Sequence, residues 1–136
     1  MLPAAQVRAF HSRRMAVSPA GHDIPILDSA ILDELEEELP DHGLMRRFAA
    51  DYAALWKHRL KRLAAAIEDQ DRDAALDAAI SVKVSSAMIG GLRVARIAEL
   101  LEQAIREDIL DNGRTTLTSI AEAGGATVKE IELRYS

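Results

Sequence analysis

The chain has 136 residues and a mass of 14.9 kDa, enough for one domain around a single core. Hydrophobic residues make up 49% and charged residues 29%, a globular composition without the long apolar run of a spanning helix. Cysteine is absent, which removes disulfides, thiolate metal sites and cysteine nucleophiles together; a net charge of −5 and 4% aromatics offer neither the basic field nor the stacking surfaces of a nucleic-acid binder.

Residues 1–25 read as an N-terminal extension and 26–136 as one helical domain. Arg8, Arg13 and Arg14 precede the first acid, Asp23, so residues 1–22 carry +3 and the remainder −8. Arg13-Arg14 has the look of a twin-arginine export signal, but Ser18, Pro19, Gly21, His22 and Asp23 stand where an apolar segment is required. The expectation is therefore a cytoplasmic protein with no membrane contact. Residues 3–15 are expected to form a short helix that docks on the body or on a second copy.

Five helices are predicted in the body. Asp28 or Ser29 caps the first, over 29–39, with Leu27, Ile31, Leu32, Leu35 and Leu39 at helical spacing and Pro40 as its stop. Asp41 caps the longest, over 42–69, with Phe48, Tyr52, Leu55, Leu63 and Ile67 as its inner stripe. Asp69 or Asp71 caps a third, over 72–89, whose seam is Ala75, Ala79, Val82, Ser86 and Ile89; Gly90-Gly91 ends it. The fourth, over 92–109, buries Val94, Ile97, Leu101, Ala104 and Ile105, and Asp111-Asn112-Gly113 makes a turn. The last, over 114–134, carries Leu117, Ile120, Val128 and Ile131. It contains Gly124-Gly125, which costs about 1 kcal/mol per glycine against alanine, and its end alternates in a strand-like way. A helix is favoured because no sheet is available to join, and the glycines are read as marks of close packing. Short connections between long helices predict an all-α, up-and-down four-helix bundle with an additional N-terminal helix.

Metal chemistry finds no support in the histidines. A carboxylate-bridged site in a bundle uses Glu-x-x-His pairs, and none of His11, His22, His42 and His58 has an acid three residues before it. His58 sits among Lys57, Arg59, Lys61 and Arg62, which repel a cation. That basic run reads as a solvated helix face or as a contact for an acidic partner surface. Glu36, Glu37 and Glu38 read as a solvated helix end. No phosphate-binding glycine loop and no nucleophile elbow is present. No metal, no cofactor and no enzymatic activity are expected.

The informative stretch is Ala79-Ile80-Ser81-Val82-Lys83-Val84-Ser85-Ser86-Ala87-Met88-Ile89-Gly90-Gly91, followed by a helix closing on Leu101-Glu102. It resembles the histidine-containing phosphotransfer (HPt) domain, whose signature is His-x-Leu-Lys-Gly-Ser-Ser/Ala-x-x-Leu-Gly-Ala. Val82, Lys83, Ser85, Ser86, Ile89 and Gly90 match it. Ile26-Leu27-Asp28, Phe48 near the start of the long helix and Asp69–Asp71 before the signature helix also sit where the family has them. The resemblance spans about residues 26–134 and implies a phosphorelay role.

Two departures bear on that role. The phosphoacceptor position holds Ile80, which has no nucleophile, where the family has an imidazole. One turn on, Val84 replaces the glycine that leaves room for the incoming active site. The resemblance therefore implies a degenerate member that binds a response-regulator receiver domain or a sensor kinase without carrying phosphate; plant pseudo-phosphotransfer proteins also lack the histidine. His58 and His42 lie on another helix without the Lys-Gly neighbourhood, and Lys83 reads as an ordinary solvated lysine.

On a helical projection Ile80 and Val84 lie opposite the Val82 seam, near Leu76, Asp77, Lys83 and Ala87. These six are the candidate partner-binding residues. Three readings of the stripe stay open: a cover provided by the first body helix or by residues 1–25, a contact with a receiver, or a two-fold homodimer that serves as an adaptor with no phosphorelay role. Burial of Leu76, Ile80 and Val84 is worth about 1.5–3 kcal/mol each.

Overall fold

Local capping decides where the helices begin. In the computed structural model, which describes residues 23–39, 41–108 and 113–135 (the His42 side chain apart), five helices run in order. They are α1 (Ser29–Glu38), α2 (His42–Glu68), α3 (Arg72–Met88), α4 (Leu92–Arg106) and α5 (Gly113–Tyr135). The Asp28, Asp41 and Asp71 carboxylates accept from the amides of Ala30, Gly43 and Ala74 at 3.0, 2.8 and 3.1 Å. Each thereby satisfies one of the donors that a helix start leaves open. Residues 1–22 of the expected extension, with the helix over 3–15, Pro40 and most of the turn at 111–113 lie outside the described residues.

The boundaries match the sequence reading to within a residue, with one exception. α4 stops at Arg106 rather than 109, because Asp108 turns to a φ of 56°. Arg72 holds that end, pairing with Asp108 at 3.2 Å and donating to the Arg106 carbonyl at 3.2 Å.

Each long helix packs on its neighbours in sequence, and α5 closes the ring against α2. The result is an antiparallel four-helix bundle, all-α among the described residues. The α2 start, the α3–α4 turn and the α5 end share one end of the bundle, here termed the lower end, and α1 lies across it. The Asp28 amide donates to the Gly90 carbonyl at 2.8 Å. Gly90 takes a φ of 80°, and a Cβ there would meet the Asp28 carbonyl at 2.8 Å, so both conformation and space demand glycine. Arg134 ties α5 to α1 through Asp33 at 2.7 Å and Glu36 at 3.3 Å, and the Tyr135 hydroxyl donates to Glu36 at 2.7 Å. The Tyr135 bond and the Arg134 guanidinium hold the Glu36 carboxyl below the usual carboxylate range, against the opposing effect of burial.

The core is built from Leu32, Met45, Leu63, Val82, Val94, Leu101, Ile105, Ile120 and Ile131, all essentially inaccessible. Every residue of the predicted α3 seam is buried. The predicted α2 stripe needs correction. Tyr52 and Leu63 point inward, but Phe48 and Leu55 are exposed, and Met45, Ala49, Trp56 and Ala66 take the inner positions. The inner stripe lies nearer the helix face of Met45 and Ala49, so the two large apolar side chains fall at its margin. In α4, Ala104 is half-buried rather than buried.

The glycine pair in α5 divides. A Cβ on Gly124 would fall 1.7 Å from the Trp56 ring, whereas one on Gly125 would meet nothing within 4 Å. Gly124 alone marks a close approach, which lets the α2 indole lie against the α5 backbone. The helix continues to Tyr135, so the strand-like alternation near its end reflects no strand.

Candidate interaction site

The register between α2 and α3 follows from two polar pairs. Tyr52 Oη and Ser86 Oγ lie 2.8 Å apart in the interior, and Arg62 reaches Asp77 at 2.7 Å on the surface. In this antiparallel pair Leu55 therefore stands level with Val84, and Asp51 with Met88. Phe48, Leu55 and Arg62 follow one another at seven-residue steps along α2; Asp77 and Val84 do so along α3, with Ile80 and Met88 one turn to either side of Val84. Residues so spaced share a helix face.

The consequence is an apolar ledge across the two helices. Phe48 is 47% exposed, Leu55 43%, Val84 48% and Met88 60%; among the described residues only Leu133 of the large exposed hydrophobics lies elsewhere. Ile80 and Ala87 are half-buried at the same face. Leu76, expected in the stripe, is drawn inward and packs against the core. Asp77 is exposed but paired with Arg62. α1 packs on α2 and the lower end, not on α3, so the first body helix does not cover Ile80 and Val84.

Lys83 departs from its expected solvated state. Its ammonium meets Glu102 Oε1 on α4 at 2.6 Å, and Arg106 donates to Glu102 Oε2 at 2.9 Å. The Glu102 side chain is only 11% exposed. Burial pushes its carboxyl up, but the bonds from Lys83 and Arg106 prevail and hold it below the usual range. Lys83 is therefore turned along the α4 flank and held there. The Glu102–Arg106 half of this cluster was legible as a helical i, i+4 pair; the link to Lys83 spans two helices and carries no local signal.

The hydroxyls of Ser85 and Ser86 are also internally satisfied. Ser85 Oγ donates to the Ser81 carbonyl at 2.7 Å. Ser86 is buried against Tyr52, whose hydroxyl is pushed up to about 12 by burial, the Ser86 bond opposing. His58 is exposed on α2. Among the described residues no three His, Cys, Asp or Glu side chains cluster as a metal site, and no helix is long and apolar enough to cross a membrane. The outer face of α3 thus offers apolar contact area flanked by fixed ion pairs, a surface suited to docking a protein.

No family model matches the chain, and no curated protein does. Among solved structures it is similar to the histidine-containing phosphotransfer protein B (HptB) of Pseudomonas aeruginosa PAO1. The TM-score is 0.71 at 24% identity, over 82% of this chain and 96% of that one. A likeness at that identity speaks for the fold, and the fold of this chain is accordingly an HPt-like helical bundle.

Proposed function

We propose that this chain is a phosphorelay-associated, HPt-like protein of the cytoplasm that docks a response-regulator receiver domain or its sensor kinase without carrying phosphate. The observation that carries this reading is the outer face of α3. The scaffold residues of the HPt signature are in place, yet the acceptor position is the half-buried Ile80 and the clearance position is the exposed Val84. A hydrocarbon side chain has no lone pair with which to attack an aspartyl phosphate, so the face retains contact area and loses chemistry. Residues 26–136 form the docking unit, with 1–25 as an extension to it. The contact is centred on Ile80, Val84 and Ala87, with Asp77 and Lys83 at its edges and Leu76 beneath.

The test is incubation of the purified chain with a panel of labelled phosphorylated receiver domains, read for both phosphate transfer and pull-down. Stable binding with no label on the chain is the expected result. Acid-labile label on the chain would overturn the reading and direct attention to His58 or His42. Neither label nor binding would favour an adaptor outside phosphorelays, a second reading to which the exposure of Val84 and Met88 lends support. The double variant Ile80→His with Val84→Gly is expected to gain a phosphoacceptor; failure to do so in a folded protein would weaken the assignment of these two positions.

A further inference from the structure

The outer side of α4 is covered where an open helix face would be wet. Val94, Leu101 and Ile105 turn into the core. At 100° per residue, Leu92 and Arg96 lie about 160° round the helix from Val94, facing away from the bundle. Among the described helices α4 packs on α3 and α5 alone, so no described helix crosses that outer side. Yet the Arg96 side chain is only 15% exposed, and its Nε is buried without a hydrogen-bond partner among the described residues. Leu92 and Leu100 are half-buried. A guanidinium on an open helix face keeps its nitrogens in water. Arg96 is therefore covered by a part of the chain other than the five helices.

The cover begins at Ile24. This residue is 5% exposed but stands outside the main core cluster, and Arg93, in the first turn of α4, donates from Nε to its carbonyl at 2.8 Å. From Ile24 the described chain runs to the Asp28–Gly90 bond at the lower end, not up α4. The chain that precedes Asp23 thus starts from the covered end of the face. Charge is sorted along that face. Arg93 and Arg96 come first, then Glu99 and Glu107, each acid about 140° from Val94. Leaving Ile24, residues 15–22 hold no Lys, Arg, Asp or Glu; then come Arg14, Arg13 and Arg8, with no acid in 1–22. The three arginines stand 10 to 16 residues before Ile24. Even at the short rise of a helix that spans about 15–24 Å, against about 21 Å from Arg93 to Glu107.

We propose that residues 1–22 dock as an arm on the outer face of α4 of their own chain. The arm runs from Ile24 toward Glu107, with the uncharged stretch 15–22 over Leu92, Arg96 and Leu100 and the three arginines toward Glu99 and Glu107. Its apolar Met15 and Val17 suit the two leucines and the Arg96 stem, and its cations meet acids rather than Arg93 and Arg96. The arm passes beside Ala87, which stands level with Leu92 at the edge of the proposed receiver contact. The inference rests on α4 alone and is tested without a receiver.

Paramagnetic relaxation in the full-length chain tests it. The chain has no native cysteine, so Ser12→Cys carries a single nitroxide. The expected result is loss of the amide signals of Arg96, Glu99 and Leu100, with those of Ala50, Ala54 and Lys57 on α2, diagonally across the bundle, retained. Adding Arg8→Glu, Arg13→Glu and Arg14→Glu to the labelled chain is expected to restore the α4 signals with unchanged helical circular dichroism. A nitroxide that spares α4, one that broadens α2 and α4 alike, or a charge-reversed arm that still broadens α4 overturns the proposal. A mixture of isotope-labelled chain without nitroxide and nitroxide-labelled chain without isotope identifies the other occupant. Broadening of α4 in that mixture assigns the arm to a second copy and overturns the contact within one chain; unbroadened α4 signals there support it.

Discussion

α2 and α3 each carry two faces that obey different rules. Inward, every side chain is fixed by a neighbour: Tyr52 by Ser86, Trp56 by the bare backbone of Gly124, Lys83 at the flank by Glu102. Outward, Phe48, Leu55, Val84 and Met88 are exposed, with no comparable partner among the described residues. The inner face has little freedom to change because interiors are close-packed and buried polar groups must be paired. The outer face is free of those demands, so apolar residues there point to contact with another molecule. One helix pair thus carries a packed inner face and an apolar outer face left exposed among the described residues.

The sharpest way to break this contrast is the adjacent pair in α5. Gly124→Ala must displace the Trp56 indole and is expected to lower unfolding stability by about 3 kcal/mol. Gly125→Ala meets nothing and is expected to raise it by about 0.5–1 kcal/mol through helix propensity. Urea denaturation of the two variants reads both signs. Similar effects at the two positions would mean that the close approach of α5 to Trp56 contributes little.

Next in size is the Lys83–Glu102–Arg106 cluster. Glu102→Ala strands a partly buried ammonium and is expected to cost about 1–3 kcal/mol. Lys83→Met is expected to cost less, because Arg106 still serves the carboxylate. A double-mutant cycle between Lys83 and Glu102 that returns no coupling would return Lys83 to the outer, solvated set.

The same carboxylate sets a pH signature. Glu102 and Glu36 titrate lower in the folded chain than the ordinary glutamate value of about 4.3. Their contribution is therefore complete above the unfolded value and lost as pH falls through the folded one. Stability is expected to decline below about pH 4, with a shallower decline in Glu102→Gln. An unchanged acid slope in that variant would remove Glu102 from the inner set.

The smallest stability effect belongs to the ledge. Val84→Glu is expected to stay within about 0.5 kcal/mol of wild type in denaturation while altering association. A large loss of stability there would show that the outer face is structural after all.

Much of the fold was legible before any coordinates, and the reasons are local. Asp28, Asp41 and Asp71 mark helix starts because a short carboxylate reaches an amide two or three residues on. Gly90 marks a stop because only glycine adopts a left-handed turn without strain. The α3 seam was legible because its spacing is the helix period. The inner stripe of α2 was legible only in part: Phe48 and Tyr52 are four residues apart, as helical neighbours should be, yet one is in water and the other in the core. A helix of 27 residues offers several apolar stripes of similar strength, and only the position of its neighbours selects one.

The candidate site divides in the same way. That Ile80 and Val84 share an outward face follows from 100° per residue and one buried seam. That Leu76 turns inward, that Lys83 is held by Glu102, and that Phe48 and Leu55 join Val84 and Met88 in one ledge depend on groups from 7 to 40 residues apart in the chain. The sequence by itself determined the helices, their ends and the hydrocarbon at position 80, because these depend on neighbours a turn away. Only the tertiary structure decided which apolar residues are core and which are surface, since that choice belongs to the register between helices, and no residue carries that register alone.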